Sequence, residues 1–147
     1  MFNAFTHTRL FVLDQDEALD YYVGKLGLEV HTDAPLEDMR WLTVNVPGRP
    51  EQEILLEVPG GPMMDADTAE EVRALLGKGA MGMAIFTTDD CRATYEDLLA
   101  KGVEFTQEPV ERFYGTDCAI RDPWGNHIRI TEPAEMPVEP PSETASA

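Results

Sequence analysis

Two hydrophobic periods alternate along the chain. Residues 8–14 (TRLFVLD) are rich in β-forming side chains and read as a strand. Residues 16–26 (DEALDYYVGKL) switch to helical spacing, with Leu19, Tyr22 and Leu26 on one stripe. Asp14 is placed to cap this helix, and Gly27 to close it. Residues 28–32, 41–46 and 53–58 are three further strands, separated by turn chemistry at 33–35 and 47–50. After a helical stretch at 65–76, capped by Asp67 or Thr68, the order starts again. A strand at 81–88 is followed by Asp89 and Asp90 as capping candidates and by a helix at 92–101 that ends at Gly102. Strands at 103–106, 118–121 and 127–131 complete the series.

The two series superimpose at an offset of 75 residues. That shift matches Asp14 with Asp89, Ala18 with Ala93, Gly27 with Gly102 and Glu29 with Glu104. The pattern predicts an α+β fold of two βαβββ modules, at about 5–59 and 80–133. A linker helix at about 65–77 joins them within a single domain spanning 1–133. Each module offers a sheet with one apolar face to cover, and two such curved sheets can enclose a cavity. The segment 134–147 carries Pro137, Pro140 and Pro141 among Glu135, Glu139 and Glu143. With little to bury, it reads as a disordered acidic tail.

Composition narrows the function. The 147 residues include 11 Lys and Arg against 28 Asp and Glu, a formal net charge of −17. A nucleic-acid partner needs a basic face, and an anionic membrane surface repels this chain, so neither is expected. No apolar run approaches the roughly 20 residues of a membrane span. The first nine residues lack the basic and apolar regions of a secretion signal. The two cysteines, Cys91 and Cys118, are too few for a disulfide framework. The expectation is a soluble, reduced, cytoplasmic protein. Cys91 stands at a helix start, where a thiol pKa can fall, and is the more reactive candidate. Cys118 lies in a strand.

Three motifs then converge. His7-Thr8-Arg9-Leu10-Phe11-Val12-Leu13-Asp14 leads into a helix that exits through Gly24-Lys25-Leu26-Gly27-Leu28-Glu29. The second helix exits through Lys101-Gly102-Val103-Glu104-Phe105. Asp122-Pro123-Trp124-Gly125-Asn126 precedes the last strand. In this order, with the internal repeat, they resemble the vicinal oxygen chelate superfamily. That superfamily holds glyoxalase I, extradiol dioxygenases and the bleomycin- and fosfomycin-resistance proteins. The resemblance implies paired βαβββ modules, often a homodimer, around a ligand cavity. In the metal enzymes four sheet positions supply His and Glu ligands to a divalent ion. Here those positions fall on His7, on or beside Glu57, on Met83 (or Gly82 by the repeat offset), and on Arg129. Two are ligand types, one is a thioether or nothing, and one is a cation that cannot ligate a metal. No cofactor is therefore expected. His7 and Glu57 are the protein ligands if a divalent ion does bind.

The candidate ligand-binding residues are His7, Arg9, Phe11, Trp41, Glu57, Met83, Phe113, Cys118 and Arg129. Arg9 and Phe11 share strand parity with His7. Trp41, Phe113, Tyr114 and Trp124 are the aromatic candidates. Asp122 and Asn126 flank a turn and suit turn formation. His31 and His127 lie near turns, as solvent-facing residues would. Arg129 is either an anion hook, a structural partner of Glu57, or an exposed side chain. The leading reading is a small-molecule-binding protein similar to the bleomycin-resistance branch. The net charge favours a cationic ligand, and Arg9 and Arg129 an anionic one. A metal-dependent lyase, isomerase or dioxygenase is the alternative, and a dimeric interaction module the third class.

Overall fold

The computed structural model describes residues 1–135. Most of the expected tail, from residue 136 onward, lies outside the described residues. Two four-stranded mixed sheets with flanking helices make an α+β protein, and neither sheet closes into a barrel. Contacts divide the chain into two compact units. One holds Met1–Gly82 with Asp122–Asn126, and the other Met83–Arg121 with the residues from His127 onward. Among the described residues no helix is long and apolar enough to cross a membrane.

In the first unit, β1 (His7–Phe11), β2 (Glu29–Leu36), β3 (Met39–Asn45) and β4 (Glu53–Glu57) form a sheet of order β1-β4-β3-β2. β1 runs parallel to β4, and the β2–β3 and β3–β4 pairs are antiparallel. Leu10, Leu42, Val44 and Leu56 alternate onto one face and are buried. Ala18 and Tyr22 of the helical segment join this core. That segment is α1 (Gln15–Leu19), continued by a π-helical stretch at Asp20–Lys25. Asp14 caps α1 by accepting from the Glu17 amide.

Residues 33–35, expected as a turn, lie inside β2 instead. β2 is an edge strand, where Pro35 costs no interior ladder bond. The reversal falls two residues later, at Glu37 and Asp38. Glu37 there adopts a φ of 53° and the flanking Leu36 and Met39 pair. A second helix, α2 (Ala66–Gly77), follows, and its cap is Asp65 rather than Asp67 or Thr68.

The second unit repeats the plan. β5 (Met83–Thr87), β6 (Phe105–Arg112), β7 (Gly115–Arg121) and β8 (His127–Pro133) form a sheet of order β5-β8-β7-β6. β5 and β8 are parallel, and the other two pairs antiparallel. Cys118, Ile120, Ile128 and Ile130 are buried on one face, with Cys91 and Leu98 of α3 (Cys91–Ala100). β6 runs well past the expected 103–106, to a two-residue hairpin tip at Phe113 and Tyr114. Pro109 sits in this edge strand where the pairing register shifts.

The repeat offset needs one adjustment. The first strands begin at His7 and Met83, and the caps are Asp14 and Asp90, one more than the expected shift. Gly27 lies thirteen positions after Asp14, but Gly102 lies twelve after Asp90. The first module carries one extra helical residue, and the π-helical stretch absorbs it. Met83, not Gly82, is therefore the counterpart of His7. Position 82 has no room for a side chain, because a Cβ there would lie 2.0 Å from Asn126 Oδ1.

The loop Asp122–Asn126 packs within the first unit through a single carboxylate. Asp122 Oδ1 accepts from the amides of Trp124, Gly125 and Asn126 at 3.0, 2.8 and 2.8 Å. Oδ2 accepts from Tyr22 OH at 2.6 Å and Asn126 Nδ2 at 2.7 Å. The same Nδ2 donates to the Phe11 carbonyl at 2.8 Å. Trp124 lies edge-on to Tyr21 and is buried. Burial beside Asp122 pushes the Tyr22 hydroxyl far above its ordinary pKa. Tyr22→Phe leaves this buried carboxylate short of a donor. We expect it to lower unfolding stability by about 2 kcal/mol in urea titration.

Candidate functional site

In the first unit the sheet face opposite the α1-side core carries the candidate residues. Strand alternation puts His7, Arg9 and Phe11 of β1 on this face, with Glu53 and Glu57 of β4 and Trp41 and Thr43 of β3. The parallel register sets His7 opposite Glu53, and Phe11 opposite Glu57. His7 Nε2 lies 2.9 Å from Glu53 Oε2. The other carboxylate oxygen takes His31 Nδ1 at 3.0 Å and the Thr43 hydroxyl at 2.7 Å. The Trp41 ring lies 6.1 Å from the imidazole of His7. Arg9 stacks 4.2 Å over the Phe11 ring and reaches Glu57 Oε2 at 3.4 Å.

Five candidates thus share one face, but in different pairs from those expected. Glu57 pairs with Arg9 rather than with Arg129. The carboxylate beside His7 is Glu53, which the sequence reading passed over. The signal was present, since Glu53 and Glu57 share parity, but the register that selects between them is a tertiary fact. His31 is exposed, as expected, yet its ring is held by Glu53.

In the second unit Arg129 of β8 lies between Ile85 of β5 and Ala119 of β7. Its partner is Asp117, which has no exposure at all. Asp117 Oδ2 accepts from Arg129 Nη2 at 2.6 Å, Arg129 Nε at 3.1 Å and Tyr114 OH at 2.7 Å. Oδ1 accepts from Arg112 Nε and Gln107 Nε2, both at 3.0 Å. Arg129 Nη2 also donates to Gln107 Oε1 at 3.0 Å. Burial alone would raise the Asp117 pKa. The donors from Tyr114, Arg129, Gln107 and Arg112 outweigh it and hold the carboxyl well below the usual range. Asp117, Gln107 and Arg112 went unnoticed in the sequence. The traceable signal is the hairpin alternation that gives residues 117 and 119 the parity of Arg129.

Met83 lies on the same face as Arg129 and is exposed, while Phe113 stands at the hairpin tip, edge-on to Tyr114. Cys118 is not with them. It is buried on the α3 side, with its sulfur 3.5 Å from that of Cys91. Burial pushes the Cys118 thiol up to about 12 and raises that of Cys91 as well. The expected activation of Cys91 by the helix N-terminus is overridden by loss of solvent.

A family-type metal centre would draw on four positions. His7 and Glu57 are set about 13 Å apart along the strands by the β1–β4 register. Each is committed to another side chain. The second unit supplies Met83, a weak donor, and Arg129, which has no lone pair to give. Among the described residues no three His, Cys, Asp or Glu groups converge as a metal ion requires. Of the four positions, His7 and Glu57 carry ligand-type side chains and Met83 and Arg129 do not.

Fold and site together define a paired-βαβββ protein with ionic and aromatic side chains on its open sheet faces. The chain belongs to the Glyoxalase/Bleomycin resistance protein/Dioxygenase superfamily, whose family model matches residues 4–130. Among solved structures, that of UcmS2 is 40% identical with a TM-score of 0.84, covering 90% of this chain and 99% of that one. The structure of TnmS3, an antibiotic binding protein from Streptomyces sp. CB03234, is 25% identical with a TM-score of 0.72. It covers 90% of this chain and 98% of that one. The protein YurT from Bacillus subtilis (strain 168) is 33% identical over 126 residues, 85% of this chain and 95% of its own length.

Asp117→Asn leaves two guanidinium groups facing a neutral amide, and is expected to cost about 3 kcal/mol in chemical denaturation. Because the folded pKa of Asp117 is depressed, the unfolded chain takes up protons first as pH falls. The stability this carboxylate contributes is complete above about pH 4 and declines below it. The Asn variant should show a flatter acid limb in the same titration. Ellman's reagent should label neither Cys91 nor Cys118 within minutes in the native protein, and both in denaturant.

Proposed function

We propose that this protein binds a small organic molecule on its polar sheet faces and does so without a resident metal ion. The observation that carries the reading is Arg129. At the terminal-strand position where metal enzymes of this superfamily place a carboxylate ligand, this chain has a cation bonded to a buried aspartate. Such a position repels a divalent ion and favours a ligand group of opposite charge. The aromatic and ionic residues His7, Arg9, Phe11 and Trp41 suit recognition of a ring-bearing compound by stacking and hydrogen bonding. Likeness to an antibiotic binding protein supports an antibiotic-like ligand held by sequestration. We further propose that the working form is a homodimer, as the family resemblance implies, and that it works in the cytoplasm.

A thermal-shift screen of aromatic antibiotics, run with and without EDTA, tests this. At a ligand concentration about 100 times Kd, binding adds about 2.7 kcal/mol of stability. The stabilisation should be the same in EDTA and fall at least tenfold in affinity for Trp41→Ala. Stabilisation that appears only with added Zn, Ni, Mn or Fe(II), and disappears in His7→Ala, would favour a metal-dependent lyase, isomerase or dioxygenase instead.

A further inference from the structure

The second sheet presents two features that extend the binding reading. The first is a charge imbalance. Two guanidinium groups, Arg112 and Arg129, share the single carboxylate of Asp117, so the cluster keeps one net positive charge in a chain of net charge −17. Both arginines are accessible, with side chains 40% and 37% exposed, whereas Asp117 is fully covered. Asp117 already accepts five hydrogen bonds and has no capacity to neutralise a second cation. Arg129 spends Nε and Nη2 on Asp117 and Gln107. Its Nη1 edge, with two N–H groups, stands outside those bonds.

The second feature is apolar. On the same face, Met83 is 62% and Ile85 59% exposed, and Ile85 sits directly opposite Arg129 in the β5–β8 register. Val110, opposite Asp117 on β6, is exposed too. Large aliphatic side chains left open around a fixed cation make a surface for an apolar body with one anionic group.

We propose that this face is an anion subsite for an aromatic carboxylate, with Arg129 and Arg112 receiving the carboxylate and Met83 and Ile85 receiving the ring. Asp117, Gln107 and Tyr114 are positioning residues that hold the guanidinium planes. The inference rests on the small-molecule-binding reading and adds the ligand's chemical class and the atoms that read it. It resolves the conflict between net charge and arginine placement in favour of a locally recognised anion. Each guanidinium is held in a fixed plane by its bonds to Asp117, so its remaining N–H groups have a set direction that a lysine ammonium does not reproduce.

The test uses two probes of equal shape, 2-naphthoate and the neutral 2-naphthamide, titrated into the full chain by calorimetry. The Nε–H resonances of the arginines are followed in parallel by NMR. The expected result is at least tenfold tighter binding of naphthoate, with saturable shifts at Arg129 and Arg112. In Arg129→Gln the preference should vanish, and in Arg129→Lys it should fall partway. Arg49→Gln, at an exposed ion pair remote in sequence, should keep it. Because Arg129→Gln removes donors from Asp117 and can impair folding, the arginine shifts of the unmodified chain provide an independent reading.

Equal affinity for the two probes overturns the inference. So does a naphthoate preference that survives in folded Arg129→Gln. Arginine shifts that follow protein concentration rather than naphthoate would show a second copy covering this face, and overturn it as well. If naphthoate fails while an antibiotic from the thermal-shift screen still binds, only the anion subsite falls. If neither binds, the small-molecule reading itself is lost.

Discussion

A carboxylate removed from water must be surrounded by donors, and Asp117 organises the second unit around that requirement. Its five donors come from β6, from the β6–β7 hairpin tip and from β8. Gln107, Arg112, Tyr114 and Arg129 have their side chains fixed by one buried charge. Each arginine keeps an exposed edge as a result. The same solution appears at Asp122 in the first unit. There the donors are three consecutive turn amides, a tyrosine hydroxyl and an asparagine amide. One aspartate shapes a loop, and the other holds a pair of cations in place.

This requirement shapes the chemistry available to the fold. A superfamily that supports metal-dependent reactions does so with lone pairs at defined sheet positions. Here the terminal position presents a guanidinium, and the first-strand histidine is shared with a glutamate that also serves His31 and Thr43. In the proposed reading, charge recognition and stacking take the place of electrophilic activation by an ion. The charge on each face is also local. The first sheet's face mixes Glu53 and Glu57 with Arg9 and two histidines, while the second sheet's face is locally cationic. A net charge of −17 says little about what either face recognises.

Much of the fold was legible in the sequence, because strand and helix periods, caps and the internal repeat are local signals. Asp14 and Asp90 act as caps at the places their sequence context suggested. The misreadings share a cause, namely information stored in pairing. Pro35 reads as part of a turn at 33–35, but it lies in an edge strand that tolerates it, as does Pro109. The one-residue difference between the modules was hidden because a π-helical stretch absorbs it without disturbing the strands. The candidate site was legible as a set of residues and much less so as a set of contacts. Parity placed His7, Arg9 and Phe11 together and the family resemblance added Glu57, but neither could show that Glu53 faces His7 or that Asp117 anchors Arg129. Cys118, one residue from Asp117, belongs to the opposite face for the same reason of parity.

Native mass spectrometry tests the central claim most directly. The untagged chain would be prepared in chelator, mixed with an aromatic antibiotic that stabilises it, and weighed both intact and after release of the compound. The account predicts a complex whose mass equals protein plus compound, with no metal increment, and a released compound of unchanged mass. A complex that forms only with a bound divalent ion, or a compound released with altered mass, would contradict it.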